Sequence, residues 1–318
     1  MNEQTSEHVS AVAPSGVARL IAHVKAMAPV RTAVVHPCDA LSLGGALDAR
    51  DAGIITPVLV APLAKLRAVA ADFGLDLGDS EIVDVPHSHA AAATAARLAG
   101  KGEVQALMKG SLHSDEYLGA ILAPEAGLRT ERRLTHCYIM QTASYPRPFI
   151  ITDAAINIAP SLEDKADIVR NAIDLAHVIG VAEPKVAILA AVETVNPRMR
   201  STLDAAALCK MADRGQITGG LVDGPLAFDN AVSPEAAQVK GIRSAVGGQA
   251  DVLVVPDLES GNMLAKQLEF LGGAESAGIV MGARVPIVLT SRSDSRTTRL
   301  ASCAIALMLA ERRRAAPP

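Results

Sequence analysis

Short runs of β-branched and aliphatic residues alternate along this chain with longer Ala-rich stretches whose apolar positions recur at helical spacing. That alternation predicts strands joined by crossover helices in a mainly parallel sheet, an α/β fold. The strand candidates are 32–36, 57–60, 81–85, 105–108, 149–152, 186–190, 252–255, 278–281 and 286–289. Most are apolar throughout, as expected of strands covered on both faces. Helices are predicted at 61–71, 90–100, 162–179 and 261–271. The third has the clearest start, because Ser161 stands three residues before Asp164 and an amphipathic run follows. The segment 134–151 reads instead as two extended runs around Tyr145-Pro146-Arg147-Pro148, a hairpin or edge feature near a domain boundary, since proline cannot donate to a ladder.

A chain of 318 residues with half of them apolar can bury a sizeable core, and we read it as two medium domains. With no Trp, three Tyr and four Phe it offers few flat side chains for base stacking, which argues against single-stranded nucleic acid as a ligand. The 30 basic and 34 acidic residues nearly balance, so no global field draws the chain onto DNA or anionic lipid, and any anion site must be local. The first fifteen residues lack the apolar stretch of a secretory signal and read as a disordered tail on a cytoplasmic protein. The uncharged run 300–310 is far shorter than the roughly 20 residues needed to cross a bilayer, so it reads as a buried helix and no membrane is expected. Cys38, Cys137, Cys209 and Cys303 stand apart from one another, without the paired spacing of zinc or redox motifs, and read as buried reduced thiols.

The motifs of several α/β enzyme classes are missing: there is no GxxxxGK[ST] phosphate loop, no GxGxxG after the first strand and no GxSxG elbow. His87 and His89 lack a third ligand at metal spacing and read as solvated histidines at a strand end.

Positive candidates cluster after strands. Thr290 to Ser295 follow an apolar strand and lead into the last helix, where Arg292, the hydroxyls of Ser291 and Ser293, and free backbone N–H groups would suit phosphate. Ser291 and Asp294 equally fit a capping pair. Lys109-Gly110-Ser111-Leu112-His113 ends another strand, with Gly110 allowing close backbone approach and Lys109 and His113 offering charge or a proton; turn chemistry explains it as well. Arg129, Arg132 and Arg133 gather around Glu131 and suit either the phosphates of a coenzyme or plain solvent exposure. Asp223-Gly224-Pro225, and the loop from Pro256 to Asn262, also read as strand-end loops or as turns and caps.

Taken in order, six stretches resemble the phosphate acetyltransferase and phosphate butyryltransferase family. They are KGSLH at 109–113, GLRTERRLTH at 127–136, TDAAINIAP at 152–160, VDGPLAFDNAVS at 222–233, VPDLESGNMLAKQL at 255–268 and GARVPIVLTSRSDS at 282–295. The wording is closer to the butyryl branch. The resemblance implies a two-domain, three-layer fold like that of isocitrate and isopropylmalate dehydrogenases, with a cleft between a first domain of 16–139 plus 280–318 and a second of 140–279. It also implies a homodimer or higher homo-oligomer, acyl-CoA and phosphate as substrates, and neither a tightly bound cofactor nor a metal.

For the chemistry, the resemblance implies attack of the coenzyme A thiolate on an acyl phosphate. Ser291 would bond the reacting carbonyl or phosphate and Arg292 would hold phosphate. Lys109, Ser111, His113, Arg129, Arg133, Asn157, Asp223 and Asn262 would bind substrate. The sequence departs from the acetyl branch at two places: its carboxylate in the final helix is replaced by Thr297 and Thr298, leaving Asp294 as the candidate base, and its cysteine after the TD pair is Ala154. Two other readings stay open, a non-catalytic CoA-binding relative and a metal- or NAD-dependent dehydrogenase on the related fold.

Overall fold

The computed structural model describes residues 16–291 and 293–315; the N-terminal tail and Arg292 lie outside the described residues. The strands are β1 (Val30–Val35), β2 (Ile55–Ala61), β3 (Glu81–Asp84), β4 (Ala106–Lys109), β5 (Thr135–Gln141), β6 (Phe149–Thr152), β7 (Lys185–Leu189), β8 (Leu221–Leu226), β9 (Val252–Val254), β10 (Glu275–Met281) and β11 (Ile287–Val288). The helices are α1 (Gly16–His23), α2 (Ala40–Asp51), α3 (Leu63–Phe73), α4 (Ser88–Gly100), α5 (Ser114–Leu122), α6 (Leu162–Val178), α7 (Arg200–Asp213), α8 (Phe228–Val232), α9 (Pro234–Val239), α10 (Leu258–Phe270) and α11 (Arg296–Ala315).

All the strands join one sheet in the order β3-β2-β1-β4-β11-β10-β5-β6-β9-β7-β8. The block β3-β2-β1-β4-β11 is parallel, β10 is antiparallel to both β11 and β5, and β6 is antiparallel to β5. The block β6-β9-β7-β8 is parallel again and therefore runs opposite to the first.

Period-2 alternation sorts the strand residues onto two faces. One face carries a continuous core, with Val34, Cys137, Ile139, Ile279 and Val254 packed under α1, α2, α3, α6, α7 and α11. The other carries two separate cores, one beneath α4 and α5 and the other beneath α8 and α10. Between those two cores lie His136 and Tyr138 of β5 and Gly278 of β10, the last directly opposite Tyr138 in register. This seam separates the two cores.

The cap expected before α6 is present in full: Ser161 Oγ accepts the Asp164 N–H and the Asp164 carboxylate accepts the Ser161 N–H. The run 300–310 lies inside α11 and is buried for most of its length. No helix among the described residues is long and apolar enough to cross a membrane.

Four local expectations need correction. The 134–151 hairpin forms, as β5 and β6, but in the middle of the sheet; its prolines fall in the connection, where no ladder bond is needed. Asp223, Gly224 and Pro225 lie within β8 rather than after it, and β8 is an edge strand, where proline is tolerated. His87 is not at a strand end but caps α4, its Nδ1 accepting the Ala90 N–H. Of the cysteines, Cys137 and Cys303 are buried whereas Cys38 and Cys209 are half-buried.

Candidate active site

Two of the candidate loops emerge side by side. β11 pairs with β4 in parallel, Val288 opposite Met108, and β4 pairs with β1, Lys109 opposite Val35. The chain segments that follow all three strands therefore leave the sheet at one end. At this crossing a Cβ on Gly110 would lie 2.3 Å from the Val35 oxygen, so the glycine serves the packing of the loop against β1. Ser111 Oγ donates to the His36 oxygen at 2.9 Å and accepts the Cys38 N–H at 3.1 Å, which ties the loop to the β1–α2 turn. Lys109 Nζ reaches the Gly110 oxygen at 3.4 Å, and His113 precedes α5 without a side-chain capping bond.

The segment after β11 does not run straight into the last helix. Helix α11 starts at Arg296, and Ser295 Oγ accepts the Thr298 N–H at its start. Ser291 to Asp294 instead close a separate turn. The Ser291 N–H donates to Asp294 Oδ2 at 2.7 Å, the Asp294 N–H returns to the Ser291 oxygen at 3.2 Å, and the exposed Ser291 hydroxyl lies 3.0 Å from that of Ser293. Burial lifts the Asp294 carboxyl above the usual carboxylate range and Glu269 adds to the rise; the Ser291 N–H, Arg299 and Lys266 oppose it without cancelling it.

At the seam between the two cores, the His136 ring packs edge-on against Tyr138 with centroids 4.3 Å apart. His136 is fully buried and neither ring nitrogen has a hydrogen-bond partner, so burial holds its pKa down at about 4. Tyr138 is pushed up to about 12, mainly by burial and then by the negative charges of Asp294, Glu269 and Asp153. Its position thus lies within the fields of Asp294, which follows β11, and Asp153, which follows β6.

The arginines gather near Asp153, to which Asn157 links Arg133. A cleft of about 360 Å³ is lined by Arg129, Arg132, Arg133, Ile156, Asn157 and Gly282. Arg129 donates to the Leu122 oxygen and Arg132 pairs with Asp174. Arg133 Nε donates to Asn157 Oδ1 at 2.6 Å, while its Nη1 lies 3.0 Å from Asp164. Asn157 in turn donates to the Leu134 oxygen at 2.8 Å and to Asp153 Oδ2 at 2.5 Å. Asp153 is buried and accepts the N–H groups of Ala155 and Ile156; burial raises its pKa against those bonds. Asn262 of α10 donates to the Ala154 oxygen at 3.1 Å, pinning the helix to this loop.

The chain's likeness to known proteins is specific. A family model described as "Phosphate acetyl/butaryl transferase" matches residues 87–307. The chain belongs to the phosphate acetyl/butyryl transferase family.

Within this family of acyltransferases, the chain is 62% identical over 303 residues to a phosphate acetyltransferase of Rhizobium meliloti, covering 95% of this chain and 96% of the relative. It is 41% identical to a phosphate butyryltransferase of Clostridium acetobutylicum, covering 92% and 97%. The crystal structure of a branched-chain phosphotransacylase from Enterococcus faecalis V583 superposes with a TM-score of 0.76 at 29% identity, covering 88% of this chain and 99% of that one. A 4-hydroxythreonine-4-phosphate dehydrogenase from Klebsiella pneumoniae matches with a TM-score of 0.52 at 15% identity over 90% and 99%, a likeness of fold alone.

In this phosphate acetyl/butyryl transferase the sequence candidates fall into two groups and an outlier. Lys109, Ser111, His113, Ser291 and Asp294 gather where β4 and β11 end. Arg129, Arg133, Asn157 and Asn262 gather around the start of β5 and the end of β6. In register, Ile287 of β11 stands level with His136 of β5, so the ends of β4 and β11 lie only two or three residues along the sheet from the start of β5, on the order of 10 Å at about 3.3 Å per residue. Asp223 joins neither: it is four strands from β5, accepts the Gly224 N–H, and contributes to raising the Cys209 thiol, which burial chiefly pushes up to about 12. Residues not singled out from sequence are Asp153, His136, Tyr138 and Arg299. Asp153 sits in the TD pair of one resembling stretch and His136 ends another, so both were within reach; Tyr138 and Arg299 carry no local spacing that marks them.

Proposed function

We propose that this acyltransferase moves a short acyl group reversibly between coenzyme A and inorganic phosphate at the turn Ser291 to Asp294. The observation that carries the reading is the Asp294 carboxyl, lifted by burial and set one turn from the exposed Ser291 hydroxyl beside the Lys109–His113 loop. A thiol titrates near 8.5, so attack needs a base and the leaving phosphate needs charged donors.

In the direction of acyl-CoA synthesis, Asp294 takes the thiol proton and the sulfur forms a C–S bond at the acyl carbonyl. The C–O bond to phosphate then breaks with its electron pair remaining on phosphate. Ser291 Oγ bonds the reacting carbonyl or the phosphate, and Arg292 together with Lys109 neutralises the leaving group. The arginine cleft, with Arg129, Arg133 and Asn157, takes the phosphates of the coenzyme, whose thiol end reaches from there to the turn.

Acetyl is the expected better substrate, because the relative at 62% identity is named an acetyltransferase and the butyryltransferase stands at 41%. Acetyl and butyryl differ by two methylenes, about 1.6 kcal/mol of burial. Coenzyme A is a substrate rather than a bound cofactor in this reading. In this reading the two domains expected from sequence, 16–139 plus 280–318 and 140–279, meet where β5 pairs with β10, and the enzyme is a cytoplasmic homo-oligomer. The test is phosphate-dependent release of free thiol from acetyl-CoA and butyryl-CoA without added metal. Loss of turnover in Ser291→Ala with coenzyme A binding retained supports the reading; thiol release that ignores phosphate contradicts it.

A further inference from the structure

One turn into α11, Arg299 points its side chain back toward the serine turn. Its Nη1 donates to the Asp294 carbonyl oxygen at 2.7 Å. Its stem lies on α2, where a Cβ placed on Gly45 would come within 2.9 Å of Arg299 Cδ and 3.1 Å of Nε. Gly45 is buried in the helix interior beside Gly44, and a Cβ placed on Gly44 would meet nothing within 4 Å. Glycine inside a helix is destabilising relative to alanine. At Gly45 the missing methyl makes room for Arg299; nothing in the structure explains Gly44. Arg299 Nε is buried without a hydrogen-bond partner, so contact with α2 and the bond to Asp294 hold the guanidinium. Arg296, on the same helix, ties α11 to α2 through Asp48 at 2.7 Å.

We propose that Arg299, seated on Gly45, is a positioning residue for acyl transfer: it fixes the Ser291–Asp294 turn over the ends of β4 and β11 and sets the charge around the Asp294 carboxyl. The proposal rests on the turn being the reaction site. The charged and titratable groups that act on Asp294 are Glu269 and Lys266 from α10, Arg299 from α11 and Tyr138 from β5. Glu269 opposes ionisation while Arg299 and Lys266 favour it. Without the Arg299 charge, burial and Glu269 are less opposed, and the carboxyl ionises at higher pH.

The experiment is kcat and kcat/KM against pH for the full-length wild type, Arg299→Gln, Arg299→Lys, Gly45→Ala and Gly44→Ala, with thermal unfolding as the check on folding. Arg299→Gln is expected to lower kcat about tenfold or more and to move the acid limb to higher pH. Arg299→Lys keeps the limb but lowers kcat. Gly45→Ala lowers kcat by a similar factor with every polar group still present, and Gly44→Ala matches wild type. A folded Arg299→Gln with wild-type kcat and acid limb overturns the proposal, as does Gly45→Ala with wild-type kcat. Should Arg299→Gln fail to fold, Arg299→Lys and Gly45→Ala decide by the same criteria. Wild type without turnover on any acyl-CoA fails the proposed function, and the positioning role with it. Impaired Arg299→Gln alongside fully active Ser291→Ala moves the reaction off the turn and overturns the reading beneath this one.

Discussion

The Asp294 carboxylate accepts the backbone N–H of Ser291 at 2.7 Å, so one side chain both closes the turn and serves as the candidate base. The two roles separate by substitution. Asp294→Asn keeps an acceptor for the Ser291 N–H but cannot take a proton. We expect it to lower kcat by about 100-fold or more while the thermal midpoint stays close to wild type. Asp294→Ala loses the turn as well and falls further. The wild-type acid limb of kcat/KM is expected above the ordinary carboxylate range, because burial raises this group; a limb at or below that range removes Asp294 as the base.

His136 makes stability depend on pH. Its folded pKa is about 4 against 6.5 in the unfolded chain, so the folded state binds fewer protons. Its contribution is fully present above about pH 6.5 and is lost as pH falls toward 4, with about 3 kcal/mol involved. Urea unfolding midpoints measured between pH 7 and pH 4 check this. His136→Leu should flatten that part of the curve, and an unchanged slope would mean the imidazole finds a partner when protonated.

Arg133 and Asn157 are joined at 2.6 Å, and Asn157 also holds the buried Asp153. Arg133→Gln is expected to raise KM for acyl-CoA several-fold with kcat nearly unchanged, since Arg133 lines the arginine cleft and makes no hydrogen bond with the described residues of the turn. Asn157→Ala leaves Asp153 short of a donor and should cost about 1–3 kcal/mol of stability as well. Steady-state kinetics beside thermal unfolding tells the two apart.

Gly110 was legible as a place of close backbone approach, but the approaching group is the chain itself. Gly110→Ala sets a methyl 2.3 Å from the Val35 oxygen and is expected to destabilise by about 2–4 kcal/mol, read as a lowered thermal midpoint. A midpoint within a degree or two of wild type would show that β1 and the loop can part without cost.

The same distinction runs through what the sequence disclosed. Runs such as 57–60 and 149–152 were plain because strands buried on both faces must be apolar throughout. The cap of α6 was plain because Ser161 and Asp164 act within one turn. Long-range partners carry no such mark. Nothing local says that β11 lies beside β4, that Arg299 folds back onto Gly45, or that His136 and Tyr138 meet between two cores. Asp223 misled because its Asp-Gly-Pro run reads as a turn, whereas an edge strand accommodates it. One of the two sequence readings made Ser291 and Asp294 the capping pair of the last helix, whereas Ser295 accepts the Thr298 N–H at its start.

The most direct test follows the products. Wild-type enzyme supplied with acetyl-CoA and inorganic phosphate should form acetyl phosphate, seen by phosphorus NMR, in step with free thiol, and Ser291→Ala should form neither while still binding coenzyme A. Thiol appearing without acetyl phosphate would mean hydrolysis rather than transfer and would contradict the account.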